Sequence, residues 1–200
     1  AHELEMVAGK AQMAYTGDVP WHGLGTKVDP NLSPKEFQIV AGLDWRVEEV
    51  DSFVEFNGRK IPTGQKALVR DVDGRVLTQV GKNWHPVQND EAFEFFAEFV
   101  EAGDLEMHTA GSLKNGEIIW ALAKATSSFT LFGGDTVEQY FLFSNPHQYG
   151  KSIDIRTTPT RVVCNNTLTM ALSGAAQNGV KVNHRKAFDA EEVKQLLGLA

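Results

Sequence analysis

Polar and apolar positions alternate with a two-residue period along much of this chain and change to a helical period at a few places. The clearest pattern lies between Leu43 and Val100. Residues 43–56 are rich in strand formers, and Asn57-Gly58 supplies the positive φ angles of a tight hairpin turn. Residues 66–70 read as a second strand, Asp73-Gly74 as another turn and residues 76–80 as a third strand. After a loop at residues 81–86, Asn89 is placed to cap a helix. In that helix Phe93, Phe96, Ala97 and Val100 share one face, while Glu91, Glu94, Glu98 and Glu101 line the other. The pattern predicts a three-strand antiparallel meander with the helix laid on it, a β-β-β-α core.

The flanking segments add a second layer of expectations. Residues 1–32 look irregular, an N-terminal arm and loop. Ser33-Pro34-Lys35-Glu36 carries N-cap, N1 proline and capping-box acid in order, which predicts a short helix to about Ala41. Residues 105–113 and 117–123 form a second hairpin around Asn115-Gly116. Residues 136–143 read as a strand with Val137, Phe141 and Phe143 on one face. Residues 151–157 follow as another, with Ile153 and Ile155 opposed to Asp154 and Arg156. A helix over 165–176, a short strand over 180–185 and a last helix over 190–199 complete the chain. The fold class is α+β, mostly antiparallel, in one domain with parts at 1–32, 33–103 and 104–200. The last helix meets no stop signal before Ala200, so the natural chain is expected to continue.

Composition narrows the classes. A 42% hydrophobic content over 200 residues supports a real core, and no apolar run is long enough to cross a bilayer. One cysteine, Cys164, excludes an internal disulfide framework and fits a reducing, cytoplasmic setting. Net charge is -7, yet residues 144–187 carry six cations against Asp154 alone, a basic segment on an acidic body. That is a footprint for a polyanion, or a solvated face balancing the Glu-rich helix.

No phosphate-binding glycine loop and no nucleophile elbow occurs. The histidines are scattered singly, so a metal would need folding to unite His147, His184 and Cys164. Cys164 by itself reads as a nucleophile lacking a placed base, or as a small buried hydrophobe.

Binding chemistry is suggested at two stretches and one loop. In Lys82-Asn83-Trp84-His85 a cation adjoins two rings, suited to a phosphate and a stacked base; the rival is Trp84 in the core. In residues 156–167, Arg156, Arg161, a run of hydroxyls and a helix start make a phosphate cradle; the rival is two arginines paired with acids. Trp21 and His22 sit in a loop fixed by glycines and a proline, as candidate ligand contacts or a core plug.

Pro20-Trp21-His22-Gly23-Leu24-Gly25, the run from Val80 through Asn89 and the run from Thr158 through Leu168 together resemble the phage/plasmid-like proteins of domain-of-unknown-function family 932. That resemblance implies a mobile-element setting and names no activity. At fold level, three antiparallel strands and a helix are similar to the core of Rad-type and Red-beta-type single-strand annealing proteins. This likeness implies a cofactor-free ring or filament that holds one DNA strand by its backbone.

The expected function is therefore single-stranded DNA binding and strand annealing in a bacterial cytoplasm, without an enzymatic step. Lys82, Lys151, Arg156, Arg161, Arg185 and Lys186 would meet phosphates, and Trp84 or His85 would contact bases. Partners would be further copies of the chain and a phage or host exonuclease or single-strand binding protein, with no membrane. Two rivals stand beside it. One is a metal-dependent nuclease or hydrolase, and the other is a structural or host-interaction homo-oligomer without nucleic-acid contact.

Overall fold

A seven-stranded sheet forms the centre of the computed structural model, which describes residues 2–126, 140–174 and 179–199. The N-terminal segment first makes a small hairpin, β1 (Met6–Val7) with β2 (Lys10–Ala11). It then contributes β3 (Met13–Tyr15) and β4 (Thr26–Lys27), paired in parallel. The expectation of an irregular arm is corrected here. β3 is buried throughout, and a three-residue strand is too short for a two-residue period to show.

Helix α1 (Pro34–Val40) begins as its capping box dictates, with Ser33 Oγ accepting from the Glu36 N–H and the Glu36 carboxylate accepting from the Ser33 N–H. The meander follows as β5 (Val47–Phe56), β6 (Arg59–Arg70) and β7 (Val76–Val80), in that spatial order. Asn57 and Gly58 take φ of 51° and 73°, the two positive angles that a type I′ turn needs. β6 starts at Arg59 rather than at Lys66. Pro62 and Gly64 hide the strand from a propensity reading, and a register shift between Asp51 and Phe53 accommodates them.

Helix α2 (Asn89–Glu101) is capped by Gln88, whose N–H donates to Glu91 Oε2 at 2.8 Å. Asn89, expected as the cap, is instead buried, its Nδ2 donating to the carbonyls of Leu43 and Trp45. The buried face is Ala92, Phe93, Phe95 and Phe96, whereas Ala97 is exposed.

The remaining elements are β8 (Leu105–Leu113), β9 (Ile118–Ala125), β10 (Tyr140–Pro146), β11 (Ile153–Thr158), α3 (Asn165–Leu172), β12 (Gly179–Val182) and α4 (Ala190–Leu196). The start of the strand expected over 136–143, Val137 included, lies outside the described residues. The large sheet runs β12-β11-β10-β9-β8-β3-β4, antiparallel except for the β3/β4 pair. The molecule is α+β as predicted, and α2 shares one core with the meander while packing most extensively against α1, β8, β9 and β10. The large sheet offers more apolar surface: Phe95 meets Phe143 at 5.6 Å and Phe141 at 5.9 Å between ring centroids.

Alternation along β9 and β10 sorts the core onto the sheet's two faces. Ile119, Ala121, Phe141 and Phe143 face α2 and the meander, while Trp120, Leu122, Tyr140 and Leu142 face α3 and Cys164. Gly111 stands opposite Trp120, and a Cβ there would overlap the indole ring. The meander is tied to the large sheet through a buried ion pair, Arg70 Nη1 to Glu5 Oε2 at 2.8 Å, with Ser112 Oγ also donating to Glu5. Among the described residues no helix is long and apolar enough to cross a membrane.

Candidate nucleic-acid interface

The residues singled out from sequence divide into two groups separated by the large sheet. On the α3 face, the Trp21–His22 loop meets the segment that precedes α3. His22 Nε2 donates to the Val163 carbonyl at 2.9 Å, and its Nδ1 accepts from the Leu24 N–H. Trp21 stays 68% exposed, edge-on to His22. Arg161 reaches the same loop: its Nη2 donates to the carbonyls of Thr16 and Asp18, and its Nε to His108 Nε2 at 3.0 Å. Burial, helped by the neighbouring Arg161 and Lys124 charges, pushes His108 down to about 4 from its usual 6.5.

Arg156 is buried as well. It forms a bidentate pair with Asp154, both bonds 2.7 Å, and Nη1 donates to the carbonyls of Ala171 and Gly174. The phosphate cradle expected over residues 156–167 is therefore absent. The Arg156 guanidinium is committed inward, the half-buried Arg161 is tied to the carbonyls of Thr16 and Asp18, and the N–H groups of Val163 and Cys164 donate to Thr167 Oγ1. The Asn165 N–H goes to the His2 carbonyl. Asp154 and Arg156 alternate away from Ile153 and Ile155 as predicted, but that face is covered by α3 instead of by water.

On the opposite face, the loop of residues 82–85 docks on the segment after β12. The His85 N–H donates to the His184 carbonyl at 2.7 Å, and His184 Nδ1 donates to the His85 carbonyl at 2.9 Å. Trp84 stacks on the His184 ring, 3.8 Å between centroids and 13° from parallel, and its remainder packs on the core. One face of the indole is thus occupied. His147 lies fully buried nearby, its Nε2 donating to Asn89 Oδ1 at 2.8 Å. Burial and the His184 charge hold His147 at about 3, and burial lowers His184 too.

With those tautomers, His147 Nδ1 and His184 Nε2 keep lone pairs without a hydrogen-bond partner among the described residues, as do the buried oxygens Asn145 Oδ1 and Gln148 Oε1. The set is neutral and holds no carboxylate or thiolate to offset a dication. Cys164 lies on the other side of the sheet, fully buried in the α3 face core, so the metal set His147, His184 and Cys164 is not assembled. Among the described residues no group of three or more His, Cys, Asp or Glu is placed to hold a metal ion.

Of the cations in residues 144–187, Lys151, Lys181, Arg185 and Lys186 are exposed and lie on or near β12, one edge strand of the large sheet among the described residues. Lys151 and Lys181 border one open groove of about 370 Å³, floored by Ile118, Leu168 and Leu172. Lys181 and Lys186 border a second beside α4. Lys151, Lys181 and Arg185 are exposed and form no ion pair with any described residue, while Lys186 pairs with Glu192 at 2.9 Å. Lys82 is exposed on the neighbouring loop, and its carbonyl accepts from Lys66 Nζ.

Tyr149 was missed by sequence reasoning. It is 72% exposed, two residues before Lys151, with its N–H on Thr78 Oγ1. The signal for it was present as an aromatic residue followed by glycine and lysine in a loop. Lys181 was counted among the cations but not chosen, because a strand of four residues gives no sign of being an edge.

The model of the family described as Domain of unknown function (DUF932) matches residues 76–200, and the chain belongs to that family. The matched part contains β12, Tyr149 and the loop of residues 82–85, while Trp21 and His22 lie outside it. No curated protein matches this chain. No solved structure matches it.

Proposed function

We propose that this chain binds single-stranded DNA along the β12 edge and, as an oligomer, brings complementary strands together in the cytoplasm of a bacterium carrying a phage or plasmid. The observation that carries the reading is the run of exposed cations without an ion pair to any described residue, Lys151, Lys181 and Arg185, with an exposed ring, Tyr149, two residues before the first. A single strand offers regularly spaced phosphates and bare base faces, and a cation next to an exposed aromatic ring matches both. Lys82, His85 and Lys186 flank the run. Arg156 leaves the expected contact set because it is buried and bonded to Asp154 and two carbonyls, and Arg161 is held to His108 through Nε and to the carbonyls of Thr16 and Asp18 through Nη2. Annealing draws its free energy from base pairing, so no cofactor is required. An exonuclease or single-strand binding protein would be the natural co-worker.

Fluorescence anisotropy with a labelled oligo-dT and a matched duplex, at low and moderate salt, tests the binding step. The expected result is salt-sensitive binding that favours the single strand, followed by accelerated pairing of complementary oligonucleotides. Equal or absent binding of both at low salt would refute it.

A further inference from the structure

The meander presents an outward face that the DNA reading does not use. In an antiparallel sheet with one face on the core, the other is normally polar. Here β5 runs outward with Val50, Ser52, Val54 and Phe56, and Val54 stands directly opposite Ile61 on β6. Val50, Val54, Phe56 and Ile61 are 38–63% exposed, and Val76 on β7 continues the patch opposite Val69. The reverse side of the hairpin is internally satisfied, because Lys60 lies over the Phe53 ring at 4.5 Å and Lys66 pairs with Glu49. The outward side carries most of the hairpin's uncovered apolar side chains, with Phe53 exposed on the reverse, and β7 pairs with β6 no further than Lys66. Beyond that point the hairpin is a two-stranded ribbon, which in water is marginal without something packed on it.

We propose that this outward face of the meander is a two-fold interface with a second copy of the same chain. The charges at the ends of the patch select that occupant. Glu48 lies at its base and Arg59 at its tip, both on the outward side, and neither forms an ion pair with a described residue. A two-fold axis perpendicular to the strands sets each hairpin tip over its partner's base. Arg59 of one copy then meets Glu48 of the other, twice, around an apolar centre of Val54 and Ile61. Pairing by strand edges is disfavoured. The outer edge of β5 carries Glu48, Glu49, Asp51 and Glu55 with no cation, and Pro62 removes a donor from the free part of β6. The interface supplies a contact for the oligomer in the preceding reading and is measured without DNA, so either can fail alone.

Light scattering after size exclusion, across a concentration series of the full chain, gives the test. The wild type is expected to be a concentration-dependent dimer or a multiple of one. Val54→Glu should weaken association about tenfold or more, with circular dichroism unchanged. Glu48→Arg alone should weaken it, and Glu48→Arg with Arg59→Glu should restore it, since the two-fold pairs are then re-formed with signs exchanged. A wild type that stays monomeric throughout, leaving the face to another partner, overturns the proposal. So does association indifferent to Val54→Glu, or a double reversal no better than the single one.

Discussion

Arg156 and Lys151 lie five residues apart in the same basic segment, yet they occupy opposite physical situations. Arg156 is buried, chelated by Asp154 and two carbonyls, and serves to fasten α3 to β11. Lys151 is exposed, unpaired among the described residues, and borders a groove at the sheet edge. The planar five-donor guanidinium suits the first role, and the hydrated ammonium of lysine on its flexible stem suits the second. Counting charge along a segment merges the two. Function depends on which cations still have donors to offer.

The sharpest way to break that contrast is Arg156→Ala. It strands a buried carboxylate at Asp154, and the expected loss is about 3–5 kcal/mol of stability, read as a shift of the urea midpoint. If Arg156 instead acts on DNA, stability holds and affinity falls.

Acid separates the interior from the rim next. Folded His147 sits at about 3 and His108 at about 4, and His184 is lowered as well, against 6.5 for the free side chain. Below pH 6.5 the unfolded chain therefore binds protons that the folded chain refuses. Stability is fully present near neutrality and declines as pH falls toward 4, with His147 contributing up to ~1.4 kcal/mol per pH unit. Unfolding curves at pH 7.5 and 5.5 check the sign, and His147→Gln should flatten the difference. Greater stability at pH 5.5 would contradict the buried neutral assignment.

Smaller effects belong to the rim. Tyr149→Ala should cost about 1 kcal/mol of single-strand affinity, roughly fivefold, with an unaltered salt slope, because stacking releases no counterions. Lys186→Ala, already engaged with Glu192, should leave the unfolding midpoint unmoved and affect binding least.

Much of the architecture was legible because local chemistry determined it. The Ser33/Glu36 box, the Asn57-Gly58 turn and the alternation of Phe141 and Phe143 with Leu142 all held. What failed was tertiary. Period and propensity give a helix its apolar face but not every surface that will cover it, so the packing of α2 on β8, β9 and β10 beside the meander was not foreseen. They also show Asp154 and Arg156 on one side of a strand without showing that α3 would bury that side. Half of β6 was lost to Pro62 and Gly64, whose effect a register shift absorbs. At the candidate site, residue type was readable and exposure was not. Lys151 and Lys186 remained at the surface, Arg156 turned inward, Arg161 bound the carbonyls of Thr16 and Asp18, and Trp84 gave one of its faces to His184.

The most direct test is the salt dependence of oligo-dT binding by wild type and by Lys151→Glu with Lys181→Glu. The account predicts at least about tenfold weaker binding and a log–log slope shallower by roughly 1.4, about 0.7 for each lost phosphate contact, with thermal stability retained. An unchanged slope and affinity in a folded double variant would contradict a DNA path along β12.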